Sequence, residues 1–161
     1  MKDYNEILKE IAVAIEPLRH VGHQADYIPA LAKVNPDRFG MCITSTDGTV
    51  TAYGDMEERF SIQSVTKVFS LSMSLSLKGE RLWSRVGKEP SGAAFNSLIQ
   101  LELDRGIPRN PFINAGAIVL ADVLMSELDD PLDDYLSFVR EIAADKSIDY
   151  NREVASSERE K

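Results

Sequence analysis

The dipeptide Asp47-Gly48 constrains this chain more than any other feature. Two runs of strand-forming residues, Phe39 to Thr44 and Thr49 to Tyr53, flank it. Asp-Gly between such runs is the strongest hairpin signal a single sequence offers, because glycine supplies the positive φ that a tight reversal needs. Around the hairpin the apolar period changes from two to about three and a half. Tyr4, Leu8, Ile11, Ile15 and Leu18 recur at helical steps and close at Pro17. Leu132, Tyr135, Leu136, Val139 and Ile142 repeat the pattern further on. An antiparallel hairpin among helices predicts an α+β fold.

The segment after the hairpin carries candidate chemistry. A polar loop, Met56 to Arg59, leads into Phe60-Ser61-Ile62-Gln63-Ser64-Val65-Thr66-Lys67. Here Ser64 and Lys67 lie one helical turn apart on the same face. A serine hydroxyl needs a base within reach, and a lysine held uncharged can be that base. Burial and the positive end of a helix starting near Ile62 both act in that direction. The Ser64 backbone N–H at the helix start is placed to hold a developing oxyanion. By chance alone, Ser-x-x-Lys should occur about once in a chain of this composition, so its surroundings must decide.

The run Ser70-Leu71-Ser72-Met73-Ser74-Leu75-Ser76-Leu77 alternates as a strand would, yet it continues the Ser64 helix. Serine is small enough to be buried on any face of a helix, and Gly79 follows as a C-cap. Phe95 to Leu103 is predicted helical up to Gly106 and Pro108, and another helix begins at Pro111. Asn114 at that boundary is either a cap or an amide facing a ligand near Ser64. Acidic residues 129, 130, 133 and 134 suit a helix N-terminus and do not have calcium-loop spacing. Pro29 opens a short helix and leaves Tyr27 on an exposed corner. Ser157, with Glu160 three residues on, has the form of a capping box.

Several function classes recede. The net charge of -8 argues against a nucleic-acid partner, since phosphate binding rests on clustered Lys and Arg. The single cysteine, Cys42, excludes an internal disulfide and is predicted to be a small core residue of its strand. Met1 to Glu6 is polar, and the longest apolar run, Ala115 to Ala121, falls far short of a membrane span, so a cytoplasmic home is expected. His20 and His23 have metal-pair spacing but no cysteine or carboxylate cluster to complete a site. Gly87-Lys88 is no phosphate loop, because Glu89 stands where Ser or Thr is required. No linker divides the chain, so residues 1–161 read as one domain.

Taken in order, Asp26-Tyr27-Ile28-Pro29, Ser61 to Lys67, Val86 to Gly92, Asn110 to Ala117 and Ser157-Glu158-Arg159-Glu160 resemble the serine-dependent glutaminases, particularly the bacterial form. The resemblance implies a serine β-lactamase/penicillin-binding-protein-like fold, here its N-terminal portion. It implies hydrolysis of L-glutamine to L-glutamate and ammonia with neither metal nor organic cofactor. Ser64 would be the nucleophile that forms a glutamyl ester, and Lys67 its base. Tyr27, Gln63, Asn114 and Glu158, with Ser64, would line the substrate site. Glu158 would pair with the substrate's α-ammonium. The family tendency is a homotetramer. Pocket residues and part of the central sheet, expected beyond Glu158, are not in this sequence.

Two alternatives use the same residues. One is a penicillin-recognising or esterase-type hydrolase, disfavoured by the missing Ser-Asp-Asn element. The other is a non-catalytic interaction domain that keeps the motif without its chemistry.

Overall fold

The computed structural model describes residues 3–160, with Leu98 and Gln100 described through their backbone alone. Met1, Lys2 and Lys161, part of the polar ends noted above, lie outside the described residues. The chain forms two compact units. One is drawn from the segments up to Ser61 and from Asn151 onward, the other is Ile62–Tyr150.

In the first unit, Asp3 caps helix α1 (Tyr4–Ile15), its carboxylate accepting from Asn5 N at 2.9 Å. Leu8 and Ala12 form the buried stripe of α1, which packs on the hairpin strand β2. The helix stops at Ile15 because Pro17 follows within a 3₁₀ turn, Glu16–Leu18. The hairpin pairs β1 (Gly40–Thr44) with β2 (Val50–Gly54), in register from Gly40 opposite Gly54 to Thr44 opposite Val50. Gly48 N–H returns to Ser45 O at 3.0 Å, and Gly48 takes φ +85°, as the sequence required. Met41 and Ile43 face inward by alternation, which turns Cys42 outward. The expectation of a core cysteine is therefore wrong: the strand has one half-buried face, and position 42 has the other parity.

Pro29 opens the short helix α2 (Pro29–Ala32), while Tyr27 stays 63% exposed just ahead of it. Helix α2 packs on α7 (Arg152–Arg159), where Ala30 N donates to Ser157 Oγ at 3.4 Å. The cap of α7 is Asn151, whose Oδ1 accepts from Val154 N at 3.0 Å. Ser157 is thus not an N-cap. It sits inside the helix, donating to Val154 O at 3.0 Å. The capping box lost to an asparagine that starts the helix six residues earlier and places Val154 on the buried face.

The second unit is helical. A 3₁₀ turn, Gln63–Val65, runs into α3 (Thr66–Lys78), which ends at Gly79 with φ +55°. Helix continues through the alternating serines, which are small enough for any face, and two of their hydroxyls find carbonyls. Ser70 Oγ donates to Thr66 O at 3.1 Å and Ser72 Oγ to Val68 O at 2.9 Å. A second 3₁₀ stretch, Gly79–Ser84, supplies Leu82 and leads to Val86. These two pack with Leu120 and Val123 of α5 (Asn114–Glu127), against which Leu71, Leu75, Trp83 and Val119 are layered. All four central side chains are at most 1% exposed, each contributing about 1.5–3 kcal/mol of burial. Helix α4 is shorter than its pattern suggested: it covers only Leu98–Leu103, and Phe95 lies in the preceding loop. Helix α6 (Pro131–Ile142) is capped by Asp130, which accepts from Asp133 N.

Candidate active site

Ser64 lies in the 3₁₀ turn, and Lys67 is the second residue of α3. A spacing of three across such a turn stacks the two side chains on one side of the helix. Gln63, immediately before Ser64, has φ +42°, a left-handed backbone that a non-glycine residue adopts at an energetic cost. Thr66 supports the turn by donating from Oγ1 to Gln63 O at 2.7 Å. The Ser64 N–H falls in the first turn, where N–H groups have no intrahelical acceptor.

Packing of α3 on α5 brings Lys67 to the start of α5. Lys67 Nζ donates to Asn114 Oδ1 and to Phe112 O, both at 2.9 Å, and lies 5.9 Å from the Phe95 ring centroid. A lysine side chain has no acceptor, so contact with Lys67 fixes the orientation of the Asn114 amide, oxygen toward the amine and NH2 away. Asn114 is therefore no side-chain cap, and Ile113 holds the N-cap position. Neither acceptor carries charge, and among the described residues no carboxylate lies within ion-pair distance of Lys67. An amine held through two N–H groups by neutral acceptors keeps its remaining tetrahedral direction for a third partner. Ser64 Oγ is not hydrogen-bonded to it among the described residues.

The segment presenting Phe112 O is itself clamped. Gly87 N donates to Pro108 O at 2.7 Å, and Glu89 N to Arg109 O at 2.8 Å. Asn110 extends this ladder, its Nδ2 donating to Glu89 O at 2.8 Å while Oδ1 accepts from Phe112 N and Ile113 N at 3.0 and 3.2 Å. Gly116 of α5 lies against Asn110 O so closely that a Cβ would stand 2.0 Å away. The motifs Val86 to Gly92 and Asn110 to Ala117 thus meet as one scaffold under the amine. Sequence reasoning noted both but gave no role to Asn110, Phe112, Phe95, Thr66 or Gly116. Asn110-Pro111 was a legible turn signal, whereas a backbone carbonyl at 112 leaves no trace in residue type.

Four of the expected site residues, Gln63, Ser64, Lys67 and Asn114, lie in the second unit, all near the start of α3 or α5. Tyr27 and Glu158 belong to the first unit, where contact between α2 and α7 sets their segments side by side. Glu158 is exposed on α7. Among the described residues, no group of three or more His, Cys, Asp or Glu gathers as a metal site. No helix among them is long and apolar enough to cross a membrane.

Helices with a small antiparallel hairpin, and Ser-x-x-Lys opening one helix, are consistent with an N-terminal portion of the serine β-lactamase-like fold, the fold of the solved glutaminases the chain superposes on. A glutaminase family model matches residues 22–161, and the chain belongs to the glutaminase family. A glutaminase of Vibrio cholerae serotype O1 is 53% identical over 159 residues, covering 98% of this chain and 52% of that protein. One from Shewanella loihica is 51% identical over 156 residues, covering 96% and 51%. The chain therefore spans about half the length of the curated relatives it matches. Among solved structures, the probable glutaminase ybaS superposes with a TM-score of 0.85 at 30% identity, covering 99% of this chain and 52% of its own. A probable glutaminase from Bacillus subtilis, complexed with 6-diazo-5-oxo-L-norleucine, gives 0.77 at 29%, covering 99% and 48%.

Proposed function

We propose that this chain is the N-terminal portion, residues 1–161, of a single glutaminase domain that hydrolyses L-glutamine to L-glutamate and ammonia. Ser64 Oγ attacks the side-chain amide carbon while Lys67 Nζ takes its proton. The carbon–nitrogen bond then breaks, the proton passes to the departing nitrogen, and ammonia leaves a glutamyl ester on Ser64. Water, giving its own proton back through the amine, cleaves the ester to glutamate and restores the hydroxyl. Gln63, Asn114, Tyr27 and Glu158 contact the substrate. Asn114 offers its NH2 to an acceptor because its oxygen is occupied by Lys67, and Glu158 pairs with the α-ammonium. The full-length protein works in the cytoplasm as a homotetramer.

One observation carries this reading: a lysine one turn beyond a serine, its amine held at 2.9 Å by two uncharged oxygens, in a glutaminase-family chain. A relative solved in its glutamate form is consistent with it. The test is ammonia release from L-glutamine by the wild-type protein, Ser64→Ala and Lys67→Ala. Each variant should lose at least about a hundredfold in kcat, because nucleophile and base act as a unit. Retention of most turnover by either variant would refute the assignment. Rapid labelling of Ser64 by penicillin with no turnover of glutamine would favour the penicillin-recognising alternative.

A further inference from the structure

The first turn of α3 carries both reactive groups and lacks the usual means of holding itself. Neither the 3₁₀ turn nor α3 has a side-chain N-cap: Ile62 and Val65 occupy the two cap positions, and neither can accept a hydrogen bond through its side chain. An uncapped first turn frays, because its few hydrogen bonds, such as Val65 N to Ile62 O at 2.9 Å, open independently of the core. Yet a Ser–Lys pair is useful only if the turn between them keeps its geometry.

The support comes from another helix. Tyr135 of α6 donates from its hydroxyl to Thr66 O at 3.0 Å and accepts from Ser70 Oγ at 3.2 Å. Ser70 Oγ also lies 3.1 Å from the same carbonyl. Thr66 is the residue directly before Lys67 and two after Ser64, and its side chain already holds Gln63 O. A helical carbonyl ordinarily receives one backbone N–H; this one has the Tyr135 hydroxyl directed at it besides, and Ser70, whose single proton is shared between Thr66 O and the Tyr135 oxygen. Burial pushes the Tyr135 phenol above its ordinary range, against a smaller downward pull from Ser70, so it remains a donor across neutral pH. The periodicity that placed Tyr135 on an apolar stripe is right about its ring and silent about its oxygen.

We propose that Tyr135 is a positioning residue for the Ser64–Lys67 pair, fixing the first turn of α3 through the carbonyl of Thr66, with Ser70 bracing the same hydroxyl. It touches neither substrate nor reacting atoms. The proposal rests on the assignment of Ser64 and Lys67 as nucleophile and base, and its consequence for the backbone is measurable without it.

Tyr135→Phe keeps the ring and removes the hydroxyl. Amide hydrogen exchange at Val68, Phe69 and Ser70, which close the first turns of α3, should quicken about tenfold, with Leu120 and Val123 of the core unchanged. In steady-state hydrolysis of L-glutamine, kcat should fall about tenfold and KM stay within about twofold, since the loss is of alignment and not of binding. Ser70→Ala should give a weaker change of the same kind. Unaltered exchange in the first turn overturns the proposal whether or not the protein turns over glutamine. So does a uniform rise in exchange with undiminished kcat, which would make Tyr135 a packing residue only. If the wild type does not hydrolyse glutamine, the functional assignment fails, and the exchange measurement still decides the role of Tyr135.

Discussion

Replacing Gly116 with alanine sets two effects of opposite sign against each other. The residue lies in the first turn of α5, and alanine is the better helix former by about 1 kcal/mol. On propensity alone Gly116→Ala should stabilise the protein. Packing says otherwise. The new Cβ would fall 2.0 Å from Asn110 O, 2.8 Å from Pro111 Cα and 2.9 Å from Asn110 C, where ordinary contact begins at 3.4 Å. All three atoms are backbone, so no rotamer change relieves the clash, and the 110–111 segment must retreat by roughly 1 Å. Overpacking of this kind costs about 1–3 kcal/mol, and the backbone identity of the neighbours puts it at the upper end. The net expectation is a loss of about 1–2 kcal/mol. The displaced segment also carries Phe112 O, which holds Lys67 at 2.9 Å, and a misplacement of about 1 Å near a reacting group lowers the rate about a hundredfold. Urea unfolding followed by circular dichroism, with ammonia release measured in parallel, tests both halves. Gly92→Ala is the control: nothing lies within 4 Å of its would-be Cβ, so it should be neutral or slightly stabilising. A Gly116→Ala protein as stable as the wild type would refute the packing account.

Ser74 is wholly buried, and its hydroxyl has no hydrogen-bond partner among the described residues. Ser74→Ala should therefore leave stability unchanged or raise it by about 1 kcal/mol in chemical denaturation, and a loss of that size would show that the hydroxyl has a partner. Asp55 Oδ2 accepts from Phe39 N at 3.0 Å and Oδ1 from Arg38 at 2.8 Å, which lowers its pKa, the Phe39 contact being the larger cause. A folded value below the unfolded one, about 3.9, gives stability that is present above that pH and is lost as pH falls through the folded value. Unfolding midpoints measured from about pH 5 downward should therefore drop more steeply for the wild type than for Asp55→Asn. Parallel profiles would remove Asp55 as the cause.

The hairpin, the Ser64 helix and the helices from Asn114 and Pro131 were legible because each rests on local chemistry: a Gly48 turn, a 3.6-residue period, an acidic or proline start. The serine alternation after Lys67 was resolved by size, since serine fits any face of a helix; that Ser70 and Ser72 also satisfy their hydroxyls on helical carbonyls was visible only in the structure. What failed was parity and boundary. Cys42 went outward because one strand face is covered and the other is not, and composition does not say which. Asn151 displaced Ser157 as a cap because burial of Val154 decided where α7 begins. Within the candidate site, Ser64 and Lys67 were visible as a motif. The carbonyls of Phe112 and Thr66 were not, since any residue type supplies a carbonyl and only the fold aims it.

The left-handed backbone at Gln63 carries a practical consequence for anyone who re-engineers this chain. At φ +42° an ordinary side chain is held against its preference, and glycine or asparagine there is the obvious edit for a sturdier protein. That edit frees the peptide just ahead of the Ser64 hydroxyl, so shelf life and reactivity would trade against each other at a single torsion angle. Robust variants are better sought at positions such as Gly92, where an added methyl meets open space.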